Sequence, residues 1–107
     1  MNQLSDKYDL HDARIMSVLV DVIAKRLELS LEFFCDPADS SRVSGRLCFT
    51  GVSEVSGLMH LDMLEKHRGP GNITYWVCYE EKGEAVVYFS DGCLSVKYSG
   101  VSIETRK

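Results

Sequence analysis

From Arg26 to Phe34 the chain alternates residue by residue: Leu27, Leu29, Leu31 and Phe33 interleave with Arg26, Glu28, Ser30 and Glu32. A period of two puts every second side chain on the same face, so this stretch predicts a β-strand with one face on a core and one in water. Upstream, Met16, Val18, Val20 and Val22 alternate with Ile15, Ser17, Leu19 and Asp21. Both of those faces carry apolar residues, which predicts a strand over 14–22 more buried than most. Ile23 to Lys25 turns one strand into the next, so the two form an antiparallel hairpin whose register follows from the apolar faces.

Downstream, the polar run Asp36 to Ser41 with Pro37 is a loop, because Pro fixes φ and Asp and Ser side chains compete for backbone hydrogen bonds. Arg42 to Thr50 is a third strand, with Val43, Gly45, Leu47 and Phe49 on one face, closed by Gly51. Residues 53–68 admit two assignments. Leu58, Leu61, Met63 and Leu64 line a helix that would stop at Lys66, His67, Arg68, Gly69 and Pro70, whereas Met59, Leu61 and Met63 also alternate as a strand would. A helix is favoured.

Ile73 to Glu80 and Glu84 to Ser90 form a further hairpin around Glu81-Lys82-Gly83, and Asp91-Gly92 is a type I′ turn signal leading into Cys93 to Tyr98. Val101 and Ile103 make a short last strand. The expected fold is therefore mainly β (α+β), an antiparallel sheet or sandwich of about six to seven strands in meanders and hairpins, with one short helix. A length of 107 residues predicts a single domain over 1–107, large enough to build a core without a metal or a disulfide staple.

Charge narrows the partners. Twelve basic residues against sixteen acidic give a net charge of -4, the wrong sign for a protein that binds by neutralising phosphates, so nucleic acid is not expected. An acidic surface suits a basic protein partner. Met1 to Lys7 has neither the basic region nor the apolar core of a signal peptide, and no apolar run approaches the ~20 residues of a membrane span. A cytoplasmic protein without membrane insertion is expected. Cys35, Cys48, Cys78 and Cys93 contain no C-x-x-C pair, which argues for reduced thiols over a zinc knuckle or a redox motif.

Candidate chemistry is sparse. On a helix, His60 and His67 would lie roughly 10 Å apart along the axis, too far to share a metal ion. His11-Asp12 could pair a general base with its carboxylate, but neighbours on a strand face opposite ways, which favours a sheet cap at His11 and an Asx turn at Asp12. Walker, G-x-G-x-x-G and G-x-S-x-G motifs are absent from the sequence. No catalytic residue, metal or cofactor is expected. Trp76 falls beside Thr74 and Glu80, as an aromatic anchor on a wet face would, although a covering helix could instead bury Trp76 and Cys78 together.

Leu10-His11-Asp12-Ala13 followed by Ile15, then Phe49-Thr50-Gly51-Val52, Gly71-Asn72-Ile73 and Asp91-Gly92-Cys93-Leu94 resemble a group of small bacterial domains that includes immunity proteins of contact-dependent and polymorphic toxin systems. The resemblance implies a cytoplasmic, non-enzymatic protein that binds a cognate toxin domain, a basic one by charge, with His11 and Asp12 as scaffold. Candidate contacts are Glu28, Glu32, Trp76 and Glu80, chosen as polar-face or acidic strand positions. Two other classes remain: a small metal- or His-dependent enzyme built around His11, and a structural subunit that homo-oligomerises through strand edges.

Overall fold

The alternating stretch becomes a strand whose apolar half is completely withdrawn from water: Leu27, Leu29, Leu31 and Phe33 are each at most 2 % exposed. In the computed structural model, residues 4–34, 41–67 and 71–106 are described. In chain order the elements are α1 (Leu4–Lys7), β1 (Arg14–Asp21), β2 (Arg26–Phe33), β3 (Val43–Thr50), β4 (Glu54–Leu58), α2 (Leu61–Lys66), β5 (Ile73–Tyr79), β6 (Glu84–Phe89), β7 (Gly92–Lys97) and β8 (Gly100–Arg106). The protein is mainly β, as its patterning predicts. The eight strands form two antiparallel sheets, β1-β2-β3-β8 and β4-β7-β6-β5.

Each sheet contributes its apolar face to one shared core. Leu27, Leu29, Leu47 and Phe49 of the first sheet belong to the same cluster as Trp76, Cys78, Val87 and Val96 of the second. Two strands pass from sheet to sheet at a single corner, β3 into β4 and β7 into β8. Backbone bonds from Ser99 N–H to the Thr50 carbonyl (2.9 Å) and from Ser53 N–H to the Lys97 carbonyl (2.9 Å) tie the two crossings together. Gly51 makes the bend at φ 58°, where a Cβ would lie 2.6 Å from Ser99 Oγ. A side chain there would meet both backbone strain and a clash.

A second junction joins segments distant in sequence. Asp12 N–H donates to the Ile73 carbonyl, while Asn72 and Ile73 N–H groups both donate to the Ala13 carbonyl. Asn72 is buried, and its side chain accepts from Ile15 N–H at 2.8 Å and donates to the Leu64 carbonyl at 2.6 Å. Gly71 (φ 127°) presses its Cα against Asp12, where a Cβ would approach the Asp12 carbonyl oxygen to 2.3 Å. The Leu-His-Asp-Ala and Gly-Asn-Ile segments are therefore two halves of one joint.

Several expectations change. The first strand is an edge rather than a well-buried strand: only Ile15 is buried, and Leu19 and Val20 are more than half exposed. A bulge between Ile15 and Ser17 explains its two apolar faces, since Ile15, Val18 and Val20 align with Leu31, Leu29 and Leu27 despite the odd spacing. Residues 53–68 are neither all helix nor all strand, but β4 followed by the six-residue α2. His60 and His67 cap that helix instead of lying on it, and His60 Nδ1 accepts from Met63 N–H at 3.3 Å. The polar N-terminal lead contains α1. Asp91-Gly92 is not the loop pair: Phe89 opposes Gly92, so the loop is Ser90-Asp91, with Asp91 at φ 58°. Most of the predicted loop at 36–41 lies outside the described residues.

Candidate protein-binding surface

The two sheets turn different faces outward. On the first, Glu28 and Glu32 stand on the same side of β2, as the alternation predicts, but neither is a lone carboxylate. Arg26 Nη2 donates to Glu28 Oε1 at 2.9 Å, Arg14 lies 3.5 Å from Glu32, and Arg46 Nη2 donates to Glu104 Oε2 at 2.7 Å. The charges alternate in sign over the sheet, which keeps its field short-ranged. Beneath them Cys48 is 3 % exposed. Burial pushes its thiol pKa up, and the Glu28 and Glu104 carboxylates push the same way.

The second sheet's outer face is built in rows that follow from strand register. Tyr75 opposes Tyr88, Tyr88 opposes Cys93, and Cys93 opposes Leu58, giving one aromatic and apolar row across all four strands. Tyr75, Tyr88 and Leu58 are 55 %, 44 % and 65 % exposed, and the two tyrosine rings stack with centroids 6.0 Å apart. The next row is Val77, Val86, Ser95 and Ser56. The third is Tyr79, Glu84, Lys97 and Glu54, with Lys97 3.8 Å from Glu54. Beyond it, Glu80 and Glu81 stand exposed on the turn, and the Lys82 ammonium lies 5.5 Å from the Tyr79 ring centroid. An apolar centre thus grades into an acidic margin.

Of the two placements open to Trp76, the structure shows burial together with Cys78 and not the wet face on which it would be a contact. Thr74 is the extra residue of a bulge between Ile73 and Tyr75, so Ile73, Trp76 and Cys78 all face inward. Trp76 is 2 % exposed, and its Nε1–H donates to the Tyr8 carbonyl at 2.6 Å. It anchors the N-terminal segment to the core and offers nothing to a partner. Cys78 N–H donates to Ser5 Oγ (3.0 Å), so α1 itself caps the same edge strand. Glu80 remains at the surface, where its Oε2 accepts from Leu4 N–H at 3.2 Å.

Chain comparison yields no match to a family model, a curated protein or a solved structure.

His11 caps the same edge. Its Nδ1 lies 3.0 Å from the Thr74 carbonyl, which can only accept, so Nδ1 carries the proton. Nε2, 3.5 Å from Asp12 Oδ2, can donate there only when the ring is protonated. Asp12 takes the left-handed conformation at φ 65°. Among the described residues no group of three His, Cys, Asp or Glu side chains is placed to hold a metal ion, and Cys48, Cys78 and Cys93 are free thiols. No helix among them is long and apolar enough to cross a membrane.

The exposed aromatics that sequence inspection passed over are Tyr75, Tyr79 and Tyr88. One signal was available: tyrosine carries a polar tip on an apolar body, so a strand mixing Tyr with Trp and Cys places the tyrosines outward most economically. The bulge at Thr74 hid that parity.

Proposed function

We propose that this protein is a non-enzymatic binding protein, an immunity protein that neutralises a cognate bacterial toxin domain in the cytoplasm. The observation that supports this is the outer face of the second sheet, where Tyr75, Tyr88 and Leu58 form an exposed row on four hydrogen-bonded strands. Tyrosine is enriched at interface hot spots because it supplies contact area with little loss of side-chain freedom. Rigid strands add preorganisation, which lowers the entropic cost of docking. Glu54, Glu80, Glu81 and Glu84 outnumber Lys82 and Lys97 along the margin, so a basic toxin surface is drawn in and oriented. A standard interface of roughly 1,600 Å² would cover the face and its rim.

Glu80 keeps its place among the contacts. Glu28 and Glu32, on the opposite side of the sandwich, do not share this surface. The test is co-expression with the toxin domain encoded in the neighbouring reading frame. Protection of the cells and a stable purified complex are expected, and both are lost in Tyr88→Arg. Unprotected cells, or a Tyr88→Arg variant that binds like wild type, would reject the assignment.

A further inference from the structure

We infer that β8 is the contact edge of a symmetric homodimer, in which two copies join their first sheets antiparallel about Ile103. The two sheets leave four edge strands, and three of these carry a feature that blocks pairing. On β1 a bulge follows Ile15, whose outward N–H donates to Asn72 Oδ1. On β5, Cys78 N–H donates to Ser5 Oγ and the Thr74 carbonyl meets the His11 ring, so the chain fills that edge as well. β4 is five residues long and contains Gly57 at φ 135°, outside strand geometry. β8 has none of these features. It runs seven residues in unbroken register with β3, its one substantial neighbour among the described residues.

The outward backbone groups of β8 follow from the ladder. Thr50 C=O points toward β8, where it accepts from Ser99 N–H. Direction alternates along a strand, so Cys48, Arg46 and Ser44 also point that way and bond to Ser102, Glu104 and Arg106. Val101, Ile103 and Thr105 therefore turn N–H and C=O outward, and no hydrogen bond from a described residue reaches those groups. With Ile103 on the two-fold axis, Ile103 meets itself and Val101 meets Thr105 of the other copy, and each of these pairs exchanges two backbone hydrogen bonds. The side chains suit the same register. Val101, Ile103 and Thr105 lie on the core side of the sheet, opposite Phe49, Leu47 and Gly45, so β-branched residues pair across the junction. Thr105 is exposed and Val101 and Ile103 are half-buried, which leaves this side open to a second copy. On the other side Ser102 meets Glu104, whose Oε2 is held by Arg46 and whose Oε1 accepts from the Ser102 hydroxyl of the other copy. The tyrosine face belongs to the other sheet and stays outside this interface, so dimerisation and toxin binding are independent.

Two measurements test the dimer. Sedimentation equilibrium at micromolar concentration is expected to give twice the 12.0 kDa chain mass for wild type. Thr105→Pro deletes an outward N–H and leaves the β3 ladder intact, because Gly45 and Thr105 oppose each other without bonding. That variant should keep the wild-type circular dichroism while its dimer dissociation constant rises at least about tenfold. In mild oxidant, Ile103→Cys should cross-link to a covalent dimer faster than wild type, since the axial residue meets itself with Cα atoms about 5.5 Å apart, within disulfide reach. A wild type that stays monomeric throughout the micromolar range, a folded Thr105→Pro variant that dimerises as wild type does, or an Ile103→Cys variant that cross-links no faster than wild type would each overturn the inference.

Discussion

The outer faces of the two sheets share a backbone plan and differ in what their side chains leave unfinished. On the first, Arg26–Glu28, Arg14–Glu32 and Arg46–Glu104 complete one another within the chain. On the second, Tyr75, Tyr88 and Leu58 expose apolar area that no other described residue covers. A row of charges read along one strand looks like a docking surface until the neighbouring strands supply counter-charges. An aromatic row gains no such cancellation from its neighbours, which extend it instead. Cross-strand neighbours therefore decide the binding character of a sheet face, and a single strand's own pattern does not.

The largest effect should come from the core on which both faces rest. Trp76→Ala removes a fully buried indole and its bond to Tyr8, and should lower unfolding free energy by about 3–5 kcal/mol in urea denaturation. Trp76→Phe, tested well below its own unfolding transition, should leave affinity for the proposed toxin partner near wild type. A selective loss of affinity in a folded Trp76→Phe variant would return the residue to the interface.

Next comes the contrast between the faces. Tyr88→Ala should weaken binding of the proposed toxin partner by ~2 kcal/mol, about 30-fold, by calorimetry, with little change in stability. The double variant Glu28→Gln, Glu32→Gln should change affinity by less than about threefold and stability by less than about 1 kcal/mol, because exposed ion pairs contribute little. If the glutamate variant loses more affinity than Tyr88→Ala, the two faces have been assigned the wrong way round.

The cysteines report the same contrast by chemistry. Cys93 sits in the tyrosine row and Cys48 under the charged face, buried and with a raised pKa. Iodoacetamide should modify Cys93 at least ~10 times faster than Cys48 in the native protein, as read by peptide mass spectrometry. The raised thiol pKa also has a sign. The fold favours neutral Cys48, so its contribution to stability is full below the ordinary thiol value of 9.0 and is lost as pH rises through the higher folded value. Wild type should lose stability in that alkaline window, and Cys48→Ala should lose less. Equal losses in both proteins would show that Cys48 does not couple folding to pH.

Much of the fold was legible because strands write themselves in period two. The β2 pattern predicted all four of its buried residues, and β3, β5 and β6 begin within a residue of where alternation places them. Failures cluster where one residue breaks the period. The bulge at Met16 disguised an edge as a buried strand, and the bulge at Thr74 reversed Trp76 and the tyrosines. A third break lies at 53–68, where a strand of five residues and a helix of six are each too short for periodicity to declare itself. Of the four candidate contacts, Glu28 and Glu32 are on the predicted face with unforeseen partners, Glu80 is exposed beside the tyrosine surface, and Trp76 is in the core.

Local chemistry, written in the sequence, determined the antiparallel β class, the apolar half of β2 and the acidic balance of the surface. Tertiary structure alone decided which strands became edges, that Gly71-Asn72-Ile73 closes on Asp12-Ala13, and which outward side chains find partners. Those outcomes depend on contacts between residues tens of positions apart, where one inserted residue changes every face that follows it.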